Sequence, residues 1–224
     1  MKKIVALFLS MTLMLSVTAC NNTGDEDKSN TSSESITSSE SSTNNEETDS
    51  KSQTTEENSS DESVKEIKTL VAYFSWSSNT ERMAKLISEQ TGGDLYEIQP
   101  LNAYPEDYTE CTEVALKERD DNARPKIKDP IASIKQYDRI LIGYPIWWHT
   151  APMIIGSFLE SYDLTGVEIY PFAQSASMDK EQFNTSMEFV RKCAGSGTVH
   201  DGLFANASDT NSITKYLKDN KLIG

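Results

Sequence analysis

From residue 67 onward, hydrophobic positions switch repeatedly between two spacings. Ile67 to Phe74 is a nearly continuous apolar run, as in a buried strand. A helically spaced stretch, Thr80 to Thr91, follows, with Met83, Ala84, Leu86 and Ile87 on one side and Gly92-Gly93 as its stop. Asp94 to Pro100 is a short strand with Leu95, Tyr96 and Ile98, and a polar helix spans about Asp107 to Asp121. Tyr137 to Trp147 is apolar on both faces at Ile140 to Ile142, which a central parallel strand requires. Pro152 to Tyr162 is a helix with proline at its first position. Val167 to Ala173 is a strand, Lys180 to Cys193 a helix, Thr198 to Ala205 a short strand, and Asn211 to Asn220 the last helix. Five strands, each followed by a helix, predict an α/β three-layer sandwich around a five-stranded parallel sheet. Right-handed crossovers restrict its topology, and binding belongs at the carboxyl ends of the strands.

The first 66 residues follow no such pattern. Lys2-Lys3 precedes an apolar stretch from Ile4 to Leu15, and Val17-Thr18-Ala19-Cys20 follows. This order resembles a bacterial lipobox. The resemblance implies a signal peptide over 1–19, cleavage before Cys20, a lipid on the Cys20 sulfur, and an extracytoplasmic protein anchored to the cell membrane. The alternative is an ordinary signal peptide with an incidental cysteine. Residues 20–66 have almost no large apolar side chain, so they cannot offset the entropy of ordering and are expected to form a disordered tether. Fully extended, the tether reaches on the order of 150 Å.

Charge narrows the partners. The chain carries a net charge of −14. Residues 21–66 hold 13 acidic side chains against 3 lysines, and the region from 67 onward is acidic as well. Such a surface is unsuited to nucleic acid and suited to basic partners. His149 and His200 have no cysteine nearby, so no metal site is expected.

Candidate chemistry lies in the loops after the strands. Ser75-Trp76-Ser77-Ser78-Asn79-Thr80 joins the first strand to the first helix. A helix N-terminus offers unpaired amides, and these side chains add neutral donors, so a phosphate can be held without Lys or Arg. The alternative is plain helix capping, for which one such residue suffices. The loop has neither a Gly-Lys pair nor a glycine fingerprint.

At Ser75, Ser77, Asn79 and Thr80 the loop resembles the phosphate loop of the flavodoxins, with Ser78 in place of the usual glycine. Gly143 to Pro152 (GYPIWWHTAP) is similar to the aromatic loop of flavodoxin-like proteins, Gly-x-Pro-x-Trp-Trp-x-x-x-Pro, with His149 where glycine is common. The resemblance covers about Ile67 to Gly224. It implies a sheet in the order 2-1-3-4-5 and FMN as cofactor. It also implies a ring site lined by Tyr144, Pro145, Ile146, Trp147, Trp148 and His149, and by Gln174, Ser175, Ala176 and Ser177 after the fourth strand. Trp148 is expected at the ring, Trp147 in the core and Trp76 near the ribityl side, and Tyr144 is a further stacking candidate. His149 is either a proton donor near the flavin or an exposed loop residue. Relatives carry glycines in the fourth-strand loop, where this chain has none.

In that sheet order the helices bearing Cys111 and Cys193 are separated by a third helix, so two free thiols are expected. The implied function is an electron-transfer flavoprotein serving a redox partner protein or small acceptor. An NAD(P)H-dependent quinone-type reductase and a flavin-binding domain without turnover remain open alternatives.

Overall fold

The structure, a computed structural model, describes residues 66–224. The expected signal peptide, Cys20 and all but the last residue of the expected tether lie outside the described residues. Elements run β1 (Thr69–Tyr73), α1 (Asn79–Thr91), β2 (Asp94–Glu97), α2 (Tyr108–Asp120), β3 (Arg139–Pro145), α3 (Met153–Glu160), β4 (Glu168–Gln174), α4 (Lys180–Cys193), β5 (Thr198–Val199), β6 (Leu203–Phe204) and α5 (Thr210–Asp219). All strand pairs are parallel, in the order β2-β1-β3-β4-β5, with β6 also on β4.

Strand alternation sorts the core into two layers. Ile140, Ile142 and Tyr144 of β3 face Ile154 and Phe158 of α3 and Phe183 and Val190 of α4. Leu141, with Val71 and Tyr73 of β1, faces Met83 and Ile87 of α1 and Ile213 and Leu217 of α5. Gly143 lies on this second face, where an added Cβ would overlap the ring of fully buried Phe172.

The fifth strand departs from the expected single run. Ile169 pairs with Val199 and Phe172 with Leu203, so His200, Asp201 and Gly202 stand opposite only Tyr170 and Pro171. One extra residue makes a bulge, and Pro171 has no N–H to bond across it. Gly202 fits there because a Cβ would meet Phe183, Met187 and the Pro171 carbonyl within 2.9 Å. Pro152 stands one position earlier than expected, as the N-cap of α3. Cys111 and Cys193 are both buried and free, as expected.

Candidate functional site

Three loops leave the carboxyl ends of β1, β3 and β4, and each starts from a paired strand end. The Phe74 amide bonds the Gly143 carbonyl at 2.9 Å, and the Ile146 amide bonds the Gln174 carbonyl at 3.2 Å. The loops are thereby fixed side by side.

In the first loop, the serines do not serve as caps. Ser78 is the N-cap of α1 and makes no capping hydrogen bond. By contrast, α2, α4 and α5 begin with Asp107, Asp179 and Asp209, each accepting from a helix amide. An aspartate at α1 would repel an anion; here the first turn is left uncapped. Ser75 Oγ and Thr80 Oγ1 are buried and, among the described residues, have no hydrogen-bond partner. Buried hydroxyls without partners cost about 1–3 kcal/mol each, and both lie in the loop that carries the phosphate motif. Ser77 is exposed, and its Oγ accepts from Asn79 Nδ2 at 3.3 Å. The acid in the first turn, Glu81, is hydrogen-bonded to Lys85 at 2.6 Å, and this contact holds its carboxyl below the usual range. The residues present fit a phosphate.

Ser78 adopts φ 60° and ψ 3°, the left-handed conformation that glycine takes without penalty. For a residue with a Cβ this costs about 1–2 kcal/mol. Ser78→Gly is therefore expected to stabilise the protein by about 0.5–1 kcal/mol, after the added flexibility of the unfolded chain is counted. Urea denaturation checks this; a loss of stability would mean that the Ser78 side chain contributes more than its backbone strain costs.

The second loop closes on itself. Trp147 and Thr150 exchange backbone hydrogen bonds of 2.9 and 3.0 Å around Trp148 (φ 48°) and His149 (φ 66°). Two successive left-handed residues make a type I′ turn, normally Asn-Gly. Outside contacts hold it in place. Trp148 Nε1 donates to the Thr112 carbonyl of α2 at 2.9 Å, and the Arg119 guanidinium lies 5.6 Å from the Trp148 ring centre. Trp147 packs edge-on against Phe74 at 5.2 Å and Tyr104 at 5.1 Å. The third loop avoids positive φ altogether, since the Ser175 hydroxyl accepts from the amides of Ser177 (3.3 Å) and Met178 (3.1 Å).

Between the loops lies a cavity of about 160 Å³. Trp76 enters it from the first loop, Ile146, Trp147 and Trp148 from the second, and Ser177 from the third. Its remaining walls are Met178 and one face of α2: Tyr108, Cys111, Thr112 and Ala115. Among the described residues, no charged side chain lines it. Trp76 is anchored by its indole N–H on the Pro105 carbonyl at 2.9 Å. Burial pushes the Cys111 thiol up to about 11, so it stays protonated. The slot suits a flat apolar ring next to a phosphate cradle.

The structure corrects one stacking candidate. Tyr144 is fully buried in the core, its hydroxyl 3.2 Å from Ser186 Oγ of α4. Strand alternation turns it inward with Ile140 and Ile142. Pro145 and Gln174 are paired strand ends that support the loops without lining the slot. His149 and Ala176 are exposed outside it, and His200 stacks on Tyr170 and bonds Glu168, also away from the slot. The α2 wall was not foreseen. Its trace in the sequence is the spacing of Tyr108, Cys111 and Ala115 along one helix face.

Residues 68–220 match the family model described as Flavodoxin. The chain is similar to a candidate flavoprotein from Bacteroides uniformis, at 34% identity and TM-score 0.60, over 68% of this chain and 98% of that one. Another from Bacteroides eggerthii is 35% identical with TM-score 0.61, over 68% and 96% of the two chains. A flavoprotein from Lactobacillus acidophilus, solved in complex with FMN, is 26% identical with TM-score 0.54, over 66% and 99%. No curated protein matches the chain.

Proposed function

The chain belongs to the flavodoxin family, and from that premise we propose that it is an FMN-binding electron carrier, tethered outside the cytoplasm by a lipid on Cys20. The observation that carries the cofactor is the pair of buried, unpartnered hydroxyls, Ser75 Oγ and Thr80 Oγ1, at the uncapped start of α1. They would donate to the FMN phosphate together with the Ser77 hydroxyl and the amides opening the helix. Trp76 and Trp148 would flank the ring, and Ile146, Cys111 and Ala115 would exclude water from it. The Lactobacillus acidophilus relative solved with FMN supports this assignment. Bound FMN supplies one- and two-electron redox chemistry.

The lining favours a carrier over covalent chemistry. It offers no ionised acid, base or nucleophile, and its one thiol stays protonated. The protein's part is to bind, orient and shield. Reversible reduction of stoichiometrically bound FMN by dithionite, without bleaching by NAD(P)H, supports the carrier; rapid bleaching by NAD(P)H would point to a reductase.

The tether makes its own prediction. Cys20→Ser is expected to move the protein from the membrane fraction to the soluble fraction, because the lipid is the proposed anchor. Continued membrane association of the variant would remove the lipid assignment.

A further inference from the structure

The wall of the aromatic slot has a second layer. Trp147 and Ala115 line the slot on one side. On the other they line a cavity of about 10 Å³, close to the size of one water, with Glu118, Arg119, Thr150 and Met153. Glu118 is one helical turn beyond Ala115 and two beyond Cys111, on the face of α2 that faces the slot. It accepts a hydrogen bond from the Tyr104 hydroxyl at 2.7 Å, and the Tyr104 ring stands edge-on to Trp147 at 5.1 Å. One layer of side chains therefore separates this carboxyl from the slot.

Glu118 has no cation of its own. Among the described residues it forms no ion pair, and neighbouring Arg119 is bonded to Asp120 at 2.7 and 2.9 Å and stacked on Trp148. If its task were only to hold Tyr104, a glutamine oxygen would accept the same hydrogen bond without a half-buried charge.

We propose that Glu118 is a proton acceptor coupled to the slot, taking a proton when negative charge enters the slot and releasing it when that charge leaves. The proposal rests on the slot being the FMN site. Reduction by an external electron donor would leave one net negative charge on FMN held in the slot. One proton from solvent, entering by the small cavity, would convert the Glu118 carboxylate to the acid, so that the added charge is balanced. On re-oxidation both leave.

Among the groups around the small cavity, Glu118 is the carboxyl whose surroundings favour its protonated form. Burial raises its pKa, and the Tyr104 hydrogen bond lowers it only in part. Burial and Glu118 itself push Tyr104 above the phenol range, and Cys111 stands at about 11. Arg119 is engaged with Asp120 and the Trp148 ring. Thr150 and Met153, from the turn and from α3, carry no charge, and His149 is exposed on the turn.

Two measurements on wild type and Glu118→Gln test this. In the FMN-loaded protein, reduction by dithionite should take up about one more proton in wild type than in the variant, at pH values above the ordinary glutamate range of about 4.3. Equal uptake in the two proteins overturns the coupling. In the FMN-free protein, the fluorescence of Trp147 should titrate with a midpoint above that range, and Glu118→Gln and Trp147→Phe should each abolish the titration. A titration that survives Glu118→Gln overturns the assignment whatever the cofactor does. A titration lost in Glu118→Gln together with no FMN binding upholds Glu118 as the proton-exchanging group and overturns the proposed function instead.

Discussion

Replacing Ser75 by alanine and Thr80 by valine together is expected to stabilise the FMN-free protein and to cut its FMN affinity at least 100-fold. Both hydroxyls are buried without partners, so removing them lifts a desolvation cost of about 1–3 kcal/mol each. Valine keeps the shape of threonine, so Thr80, only 1% exposed, leaves no cavity. Once a phosphate accepts from the same hydroxyls, each forms a charge-assisted bond of about 1.5–3 kcal/mol. Losing two of these weakens binding by about 3–6 kcal/mol, or roughly 10²–10⁴-fold. Riboflavin, which has no phosphate, should bind both proteins about equally. Thermal denaturation and parallel titrations with the two flavins check the three statements together. If the hydroxyls served the fold alone, the variant would be less stable and the two flavins would respond alike.

The second large effect concerns the glycine that opens the GYPIWW stretch. Gly143→Ala should destabilise the protein by about 3 kcal/mol or more, because the new methyl would occupy the space of the Phe172 ring. Gly143 and Phe172 are directly paired across β3 and β4, both strands are central, and Phe172 is fully buried. Neither backbone nor ring has room to move. The obstruction is one side chain, so Gly143→Ala combined with Phe172→Leu should recover part of the loss, a non-additivity that a double-mutant cycle measures. Additive losses would show that Gly143 is required for some reason other than this contact. The same glycine bonds the Phe74 amide at the base of the first loop, so the contact also sets how closely the first two loops approach.

Most of the architecture was legible because strands buried on both faces and helices buried on one leave different spacings in the sequence. Ile140 to Ile142 placed β3 at the centre of the sheet, and the serine-rich junction before α1 marked a candidate anion site from residue types alone. Tyr144 was misplaced because its motif outweighed its period: with Ile140 and Ile142 it lies on the inward face of the strand. The bulge in the fifth strand depends on Pro171 in its neighbour, and no pattern within Thr198 to Ala205 displays that. The type I′ turn at Trp148-His149 lacks the Asn-Gly that normally announces one, because contacts from Thr112 and Arg119 sustain it. The α2 wall was hidden by the polarity of its helix, where Cys111 and Ala115 are the only buried residues.

The central claim is that the cradle and the slot together hold one FMN. Titration of the purified protein with FMN, followed by the flavin visible spectrum and tryptophan fluorescence, tests it most directly. The expected result is a perturbed visible band and quenched indole emission that saturate together at one FMN per chain, with riboflavin binding markedly weaker. An unchanged spectrum at saturating FMN, or equal affinity for FMN and riboflavin, would contradict it.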